Sequence, residues 1–323
     1  MAQKEFNNHP PQPVVAIVGP TAIGKTSLSI DIAQEFNCEI IGVDSMQVYK
    51  LMDIGTAKIT SEEMEGVPHH LIDILYPDED YDAAGFVRDA SVLVDEITER
   101  GRIPLMVGGT GLYLKSFKDG LFEGIQVKQE IRKQLKHRVA TEGANVLHEE
   151  LQLCDHVSAE RVHPNDTSRI IRGLEIFQST GVPWSTHLAR QASGDATTGS
   201  RQGILIIGLT CERELLYRRI NMRTNFMIDQ GLEGEVRSLL EMGYKQELKS
   251  MGSIGYRHMI HYLKGDWTKS EMMELLARDT RRYAKRQYTW FKKMEGIEWF
   301  DFRDNGKVIE RVRGWLNENH GTV

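Results

Sequence analysis

VVAIVGPTAIGKTSLSIDIAQEF, residues Val14 to Phe36, places a complete G-x-x-x-x-G-K-[ST] pattern between an apolar β-branched run and a helical one. Val14 to Val18 reads as a buried strand, and Leu28, Ile32 and Phe36 fall on one face of the helix that follows. In that context Gly19 and Gly24 allow a tight turn whose amides converge on anionic oxygens, at a helix N-terminus that already favours negative charge. The candidate phosphate site is therefore Gly19, Pro20, Thr21, Ala22, Ile23, Gly24, Lys25 and Thr26. Lys25 adds a point charge, and the Thr26 hydroxyl is placed as a ligand for Mg²⁺. The loop alone does not say whose phosphates it holds.

Outward from this loop, apolar runs recur at Cys38 to Asp44, Ile103 to Gly109, Ile204 to Thr210 and Ile297 to Phe302. Helical patterns lie between them. In the clearest, Phe86 to Arg100, Val87, Ala90, Val94 and Ile97 form one stripe and Gly101 supplies the stop. Near-continuous apolar strands alternating with amphipathic helices predict an α/β fold of P-loop type, its parallel sheet covered by helices on both faces. Ligands then gather at the carboxyl ends of the strands. Three of those ends carry distinctive chemistry: the phosphate loop, Asp44, and the GGTG turn at Gly108 to Gly111.

The alternation stops between about Asp119 and Arg201, where no buried strand is visible and helical stretches run from Gln129 to Thr141 and from Thr167 to Thr180. The expected organisation is a flexible N-terminus (1–12), an α/β core with C-terminal helices (13–118 and 202–323), and a helical insertion (119–201). A polar linker, Gln191 to Gln202, closes the insertion. Beyond it, Thr268 and Glu271 fit a capping box that opens a long helix.

The 323 residues, 40% hydrophobic and 27% charged, have the composition of a globular protein, and no apolar run approaches the roughly eighteen residues of a membrane span. The N-terminus lacks a signal-peptide pattern. Three scattered cysteines, Cys38, Cys154 and Cys211, suit a reducing cytoplasm. Cys154, His156 and His163 have a ligand-like spacing, but no second cysteine pair completes a tetrahedral site. A net charge of −6 argues against indiscriminate nucleic-acid binding. Against it stands RDTRRYAKRQYTWFKK, Arg278 to Lys293, a basic run interleaved with aromatic residues. Such a run suits either a solvated helix face or an RNA surface.

A P-loop ATPase or GTPase needs a further acidic residue at a strand end to help hold Mg²⁺. Here the run Ile103 to Val107 ends in Gly108, Gly109 and Thr110, and the only comparable carboxylate is Asp44. Asp44 fits a metal aid, a proton acceptor or a simple turn residue. Thr110 fits a helix cap as well as a ligand contact.

Six ordered segments remove much of this ambiguity. GPTAIGKT, DSMQVYKLMDIGTAK (Asp44 to Lys58), PHHLID (Pro68 to Asp73), GRIPLMVGGTGLYLK (Gly101 to Lys115), HPND with its following arginines (His163 to Glu175) and RRYAKRQYTWF (Arg281 to Phe291) together resemble the motif series of bacterial tRNA dimethylallyltransferases, or tRNA isopentenyltransferases. The resemblance runs from about Val14 to Phe302. It implies transfer of a dimethylallyl group from dimethylallyl diphosphate to N6 of the adenine 3′ of the anticodon, with Mg²⁺ and with the anticodon stem-loop of tRNA as partner. A monomer is expected.

The same resemblance implies that Asp44 is the general base, that Thr110 lies near the bridging oxygen of the diphosphate, and that Arg223 approaches the diphosphate. It implies tRNA contacts from Asp44, Ser45, Met46, Gln47 and Thr110, and from Arg132, Ser168, Arg169, Ile170, Ile171 and Arg172 in the insertion. Further contacts are implied at Gly255, Tyr256, Arg257, Lys285, Arg286, Gln287, Trp290, Lys292 and Lys293. Two departures stand out: Ile23 where the family commonly has serine, and Gly173 where alanine is common. An enzyme that prenylates free AMP or ADP shares the P-loop and the Asp-Ser segment. A small-molecule kinase shares only the P-loop, and an RNA-binding NTPase lacks a clear metal-binding acid.

Overall fold

The computed structural model describes residues 12–122, 129–192, 197–198 and 203–320. Its strands are β1 (Val14–Val18), β2 (Cys38–Val43), β3 (His69–His70), β4 (Ile103–Gly108), β5 (Leu121–Phe122), β6 (Thr197–Thr198), β7 (Ile204–Thr210) and β8 (Ile297–Asp301). Its helices are α1 (Lys25–Glu35), α2 (Ala83–Glu99), α3 (Gly111–Asp119), α4 (Gln129–Glu142), α5 (Ala144–Cys154), α6 (His156–Arg161), α7 (Thr167–Thr180), α8 (Trp184–Ala192), α9 (Arg213–Asp229), α10 (Leu232–Glu241), α11 (Tyr256–Leu263), α12 (Lys269–Phe291) and α13 (Asn305–His320).

The chain divides into two compact units, Met1–Lys118 with Arg201–Val323, and Asp119–Ser200. The first is built on a six-stranded sheet in the order β3-β2-β4-β1-β7-β8, and every pairing is parallel. Strand periodicity explains the layers. Val14, Ala16 and Val18 face a core shared with α2, α3, α10 and α11, while Val15 and Ile17 face a second core with α1 and α13. A sheet buried on both faces selects uninterrupted apolar strands, as in VVAIV. The phosphate loop, Asp44 and Thr110 follow β1, β2 and β4, which are adjacent in the sheet. That adjacency gathers them at one edge.

The helix expected from Phe86 begins three residues earlier, at Ala83. The Asp82 carboxylate accepts from the amides of Ala84 (3.0 Å) and Gly85 (2.9 Å), so the start is set by a cap rather than by the apolar stripe. The expected capping box at Thr268 and Glu271 is present and opens the 23-residue α12. β3 escaped sequence reading because two residues carry no periodicity. The short antiparallel pair β5 and β6 was likewise not expected from the sequence. Residues 1–11 of the expected flexible N-terminus, and 193–196 and 199–202 of the expected linker, lie outside the described residues.

The second unit has its own core, in which Leu135, Leu147, Leu151, Ile170 and Leu174 are at most 1% exposed. Gly173 sits where α7 meets α5: a Cβ there would lie 2.7 Å from Leu151 Cδ1. The glycine allows close helix packing.

Gly108 is the tightest point of the sheet. A Cβ there would fall 2.0 Å from the carbonyl oxygen of Val43, on the neighbouring strand. Gly108→Ala is therefore expected to lower stability by about 1–3 kcal/mol, read as a lower urea midpoint with an unchanged slope. Gly234→Ala is the control: nothing lies within 4 Å of that site in α10, and alanine favours a helix by up to about 1 kcal/mol over glycine.

Candidate active site

Between β1 and α1 the backbone turns through positive φ at Gly19 (151°), Ala22 (65°) and Gly24 (106°). Glycine adopts such angles freely; Ala22 carries strain, and its carbonyl accepts from Arg219 Nε at 2.7 Å. Gly24 caps α1, and no side chain bonds to the first turn, which leaves those amides for an anion. Ile23, one of the two departures, is fully buried in the core beneath α1 and anchors the loop.

Lys25 Nζ donates to the carbonyls of Gly19 (3.0 Å) and Pro20 (2.9 Å), so its ammonium sits inside the loop. Burial and the nearby Arg223 guanidinium bring its pKa down to about 8, against an opposing pull from Asp44. Arg223 is likewise lowered by desolvation and opposed by Asp44. Two cations and one carboxylate therefore share a poorly hydrated site. The surplus positive charge favours a multiply charged anion.

Asp44 follows β2. Its Oδ1 accepts from the amides of Met46 (2.8 Å) and Gln47 (3.3 Å), and Oδ2 takes part in neither bond. Thr110 follows β4 and ties the two strand ends together: its amide donates to Val43 O (3.1 Å), and its hydroxyl accepts from Ser45 N (3.1 Å). The Tyr283 phenol of α12 is half-buried and lies within reach of the Asp44 charge. Burial, and then the Asp44 charge, raise its pKa. Thus Asp44, Thr110, Lys25 and Arg223 converge.

The loop after Asp44 is braced from α10. Glu235 accepts from the amides of Asp53 (2.9 Å), Ile54 (2.7 Å) and Gly55 (3.0 Å), and from the Tyr256 hydroxyl (2.5 Å). Gly55 is required there, because a Cβ would sit 2.4 Å from the Tyr256 ring. Gln47 Nε2 donates to the carbonyls of Thr56 (3.2 Å) and Ala57 (3.1 Å), which fixes its side chain within the loop.

α12 presents Lys285, Arg286 and Trp290, followed by Lys292 and Lys293, all exposed. On α11, Arg257 pairs with Asp279 at 2.8 Å. In the second unit Arg132 and Arg172 both reach the buried Glu175, at 3.0 and 3.3 Å. Asp166 caps α7 at the Arg169 amide (3.1 Å) and also pairs with the Arg169 side chain, and Ser168 is exposed.

Four of the residues expected to contact tRNA have buried side chains. Ile170 and Ile171 belong to the core of the second unit, Tyr256 is fully buried against Gly55, and Gln287 is buried with its amide engaged at both ends. Gly255, at φ +98°, packs its backbone against Gly55. Sequence reading passed over Arg219 and Glu235. Arg219 falls one helical turn before Arg223, a spacing that would have flagged it, whereas Glu235 is one acid among several on α10.

Known proteins share this sequence and fold. The IPP transferase family matches residues 47–294, and the isopentenyl transferase family matches residues 12–74. The chain is 53% identical over 307 residues to the tRNA dimethylallyltransferase of Desulfotalea psychrophila, covering 95% of this chain and 96% of that one. It is 47% identical over 302 residues to the enzyme of that name from Carboxydothermus hydrogenoformans, covering 93% and 96%. Among solved structures, the tRNA isopentenylpyrophosphate transferase of Bacillus halodurans superposes with a TM-score of 0.70 at 42% identity, covering 95% and 97%. A eukaryotic dimethylallyltransferase acting on tRNA superposes at 0.78 and 29%, covering 95% and 79%.

Proposed function

We propose a reaction for a chain that belongs to the IPP transferase family: it moves a dimethylallyl group from dimethylallyl diphosphate to N6 of the adenine 3′ of the anticodon in tRNA, releasing pyrophosphate. The observation that carries this reading is the meeting of Lys25, Arg223 and Asp44 beside Thr110. Two cations suit a diphosphate, and a carboxylate whose Oδ2 lies outside the turn's two hydrogen bonds suits a proton acceptor.

An exocyclic adenine amine is a weak nucleophile, because its lone pair is delocalised into the ring. Two groups offset that weakness. The N6 lone pair forms a bond to C1 of the dimethylallyl group as the C1–O bond to the diphosphate breaks, and Asp44 Oδ2 takes the N6 proton. The P-loop amides, Lys25 and Arg223 meet the charge that grows on the departing pyrophosphate. The Thr110 hydroxyl, which accepts from Ser45 N, keeps its own proton to donate to the bridging oxygen.

The family implies Mg²⁺, and the residues fit it. The Thr26 hydroxyl is exposed at the start of α1, while the Thr26 carbonyl alone bonds to Ser29. A hard cation that keeps waters and takes its remaining ligands from phosphate needs few protein oxygens. Bound there, Mg²⁺ supplies further neutralisation of the leaving group.

For tRNA, the exposed cations of α12 and Arg257 supply phosphate contacts, and Trp290 offers a stacking face; the helical unit adds Arg132, Ser168, Arg169 and Arg172. A base in a loop must be splayed out to reach an acceptor site beside Asp44. Affinity for tRNA is expected to fall steeply with salt. Removing Lys285 or Lys292 should make that log–log slope shallower by about 0.7–0.9 for each phosphate no longer neutralised. Filter binding from low to moderate salt measures it, and a slope unchanged in both variants argues against this surface.

The decisive test of function is incubation with labelled dimethylallyl diphosphate and either tRNA or AMP, and separately with ATP alone. Label entering tRNA supports the reading. Label entering AMP points to a prenyltransferase of free nucleotides, and ATP turnover without prenyl transfer overturns the proposal.

A further inference from the structure

α12 has two faces with different partners. Its outward face carries Lys285 and Arg286. Its inward face presses on the site: Gln287, only 6% exposed, accepts from the Thr21 amide in the P-loop at 2.9 Å and donates from Nε2 to Gly109 O at 3.0 Å. These backbone atoms belong to the loops after β1 and β4, the loops that carry Lys25 and Thr110. The turn has no room beneath the helix. A Cβ on Gly109 would lie 2.2 Å from Gln287 Nε2, and one on Gly111 would lie 2.1 Å from the Trp290 ring. One residue further on, the Tyr288 hydroxyl donates to Thr210 Oγ1 and accepts from Cys211 N, both at 3.1 Å. α12 thus spans the carboxyl ends of β4, β1 and β7.

We propose that Gln287 is a positioning residue that fixes the P-loop against the Thr110 turn, holding the diphosphate cradle in register with the acceptor side of the site. The proposal rests on the diphosphate site argued above. A buried primary amide offers a donor and an acceptor in one plane, and here each meets a backbone group of a different loop. A carboxylate in its place lacks the donor, and a hydrocarbon chain lacks both groups. An apolar replacement leaves Thr21 N–H and Gly109 C=O unpaired beneath the helix, and each loop is then free to move away. Because reacting groups must be held closely, a shift of about 1 Å between the loops is enough to cost roughly 10²-fold in rate. Gln287 itself touches neither substrate.

Gln287→Met keeps the volume and removes both bonds. It is expected to lower kcat by roughly 10²-fold and to weaken inorganic pyrophosphate, measured by calorimetry, about tenfold. Affinity for tRNA should stay within about twofold of the parent, since the helix keeps its outward cations. Gly109→Ala reaches the same clamp from the other side, by displacing the Gln287 amide while leaving α12 unaltered, and should reproduce the pattern if Gln287→Met fails to fold. A purely structural role would lower the melting temperature without that split between pyrophosphate and tRNA. Loss of tRNA affinity with unchanged pyrophosphate binding makes Gln287 an RNA contact and overturns the proposal, as do parental kinetics in both variants. If the parent itself binds no pyrophosphate, the diphosphate site is what fails.

Discussion

Asp44→Asn is expected to lower kcat by about 10²–10⁴-fold, the usual worth of a general base, while the dissociation constant for tRNA stays within about twofold. Asparagine is the informative replacement. Its Oδ1 can still accept from the amides of Met46 and Gln47, so the turn after β2 survives. What disappears is the carboxylate proposed to take the N6 proton. Asp44→Ala removes both features and should be at least as slow. The substitution also acts on Lys25. Asp44 raises the pKa of Lys25, so its removal lets Lys25 lose its proton at a lower pH than in the parent. Assays near pH 6.5 keep the ammonium charged in both proteins and isolate the base. Near-parental turnover by Asp44→Asn at that pH reduces Asp44 to a turn residue.

The sequence carried those features whose physics is local. VVAIV followed by GPTAIGKT and a helical stripe needs no distant partner to be read, because strand period, glycine turn and helix register all lie within Val14 to Phe36. The capping box at Thr268 is equally local. What a motif cannot convey is which side of a helix is occupied. Lys285, Arg286 and Gln287 are consecutive and lie in one motif, yet two face outward and the third is clamped between loops far away in sequence. The same holds for Ser168 and Arg169 beside the buried Ile170 and Ile171. Glu235 was hidden for a related reason: its partners are backbone amides of Asp53, Ile54 and Gly55, and backbone groups leave no mark in a sequence. Ile23, a departure from the motif in the sequence, becomes a core anchor once α1 is packed on the sheet.

Lys25 is where charge and pH can be tested together. Lys25→Met should lower kcat/KM for the prenyl donor by about 10²–10³-fold, as removal of one preorganised donor to a developing anion does. Binding of tRNA should be unaffected. The pH dependence sharpens this. With a pKa near 8 in the free enzyme, Lys25 is charged below that value and neutral above it. A diphosphate prefers the charged form, so pyrophosphate affinity and kcat/KM for the donor should fall as pH rises through about 8, with proton uptake on binding in that range. The effect on folding has the opposite sign. The folded pKa lies below the ordinary value of 10.5, so between the two the unfolded chain holds more protons at this site. The contribution of Lys25 to stability therefore rises with pH across that window. Pyrophosphate-induced stabilisation, read as a melting shift, should accordingly shrink from pH 7 to pH 9 in the parent. In Lys25→Met it should be small and flat. Calorimetry in buffers of different ionisation enthalpy counts the protons directly. A donor affinity that does not change across pH 8 in the parent, or a pH limb that persists in Lys25→Met, would show that the ammonium is not what holds the leaving group.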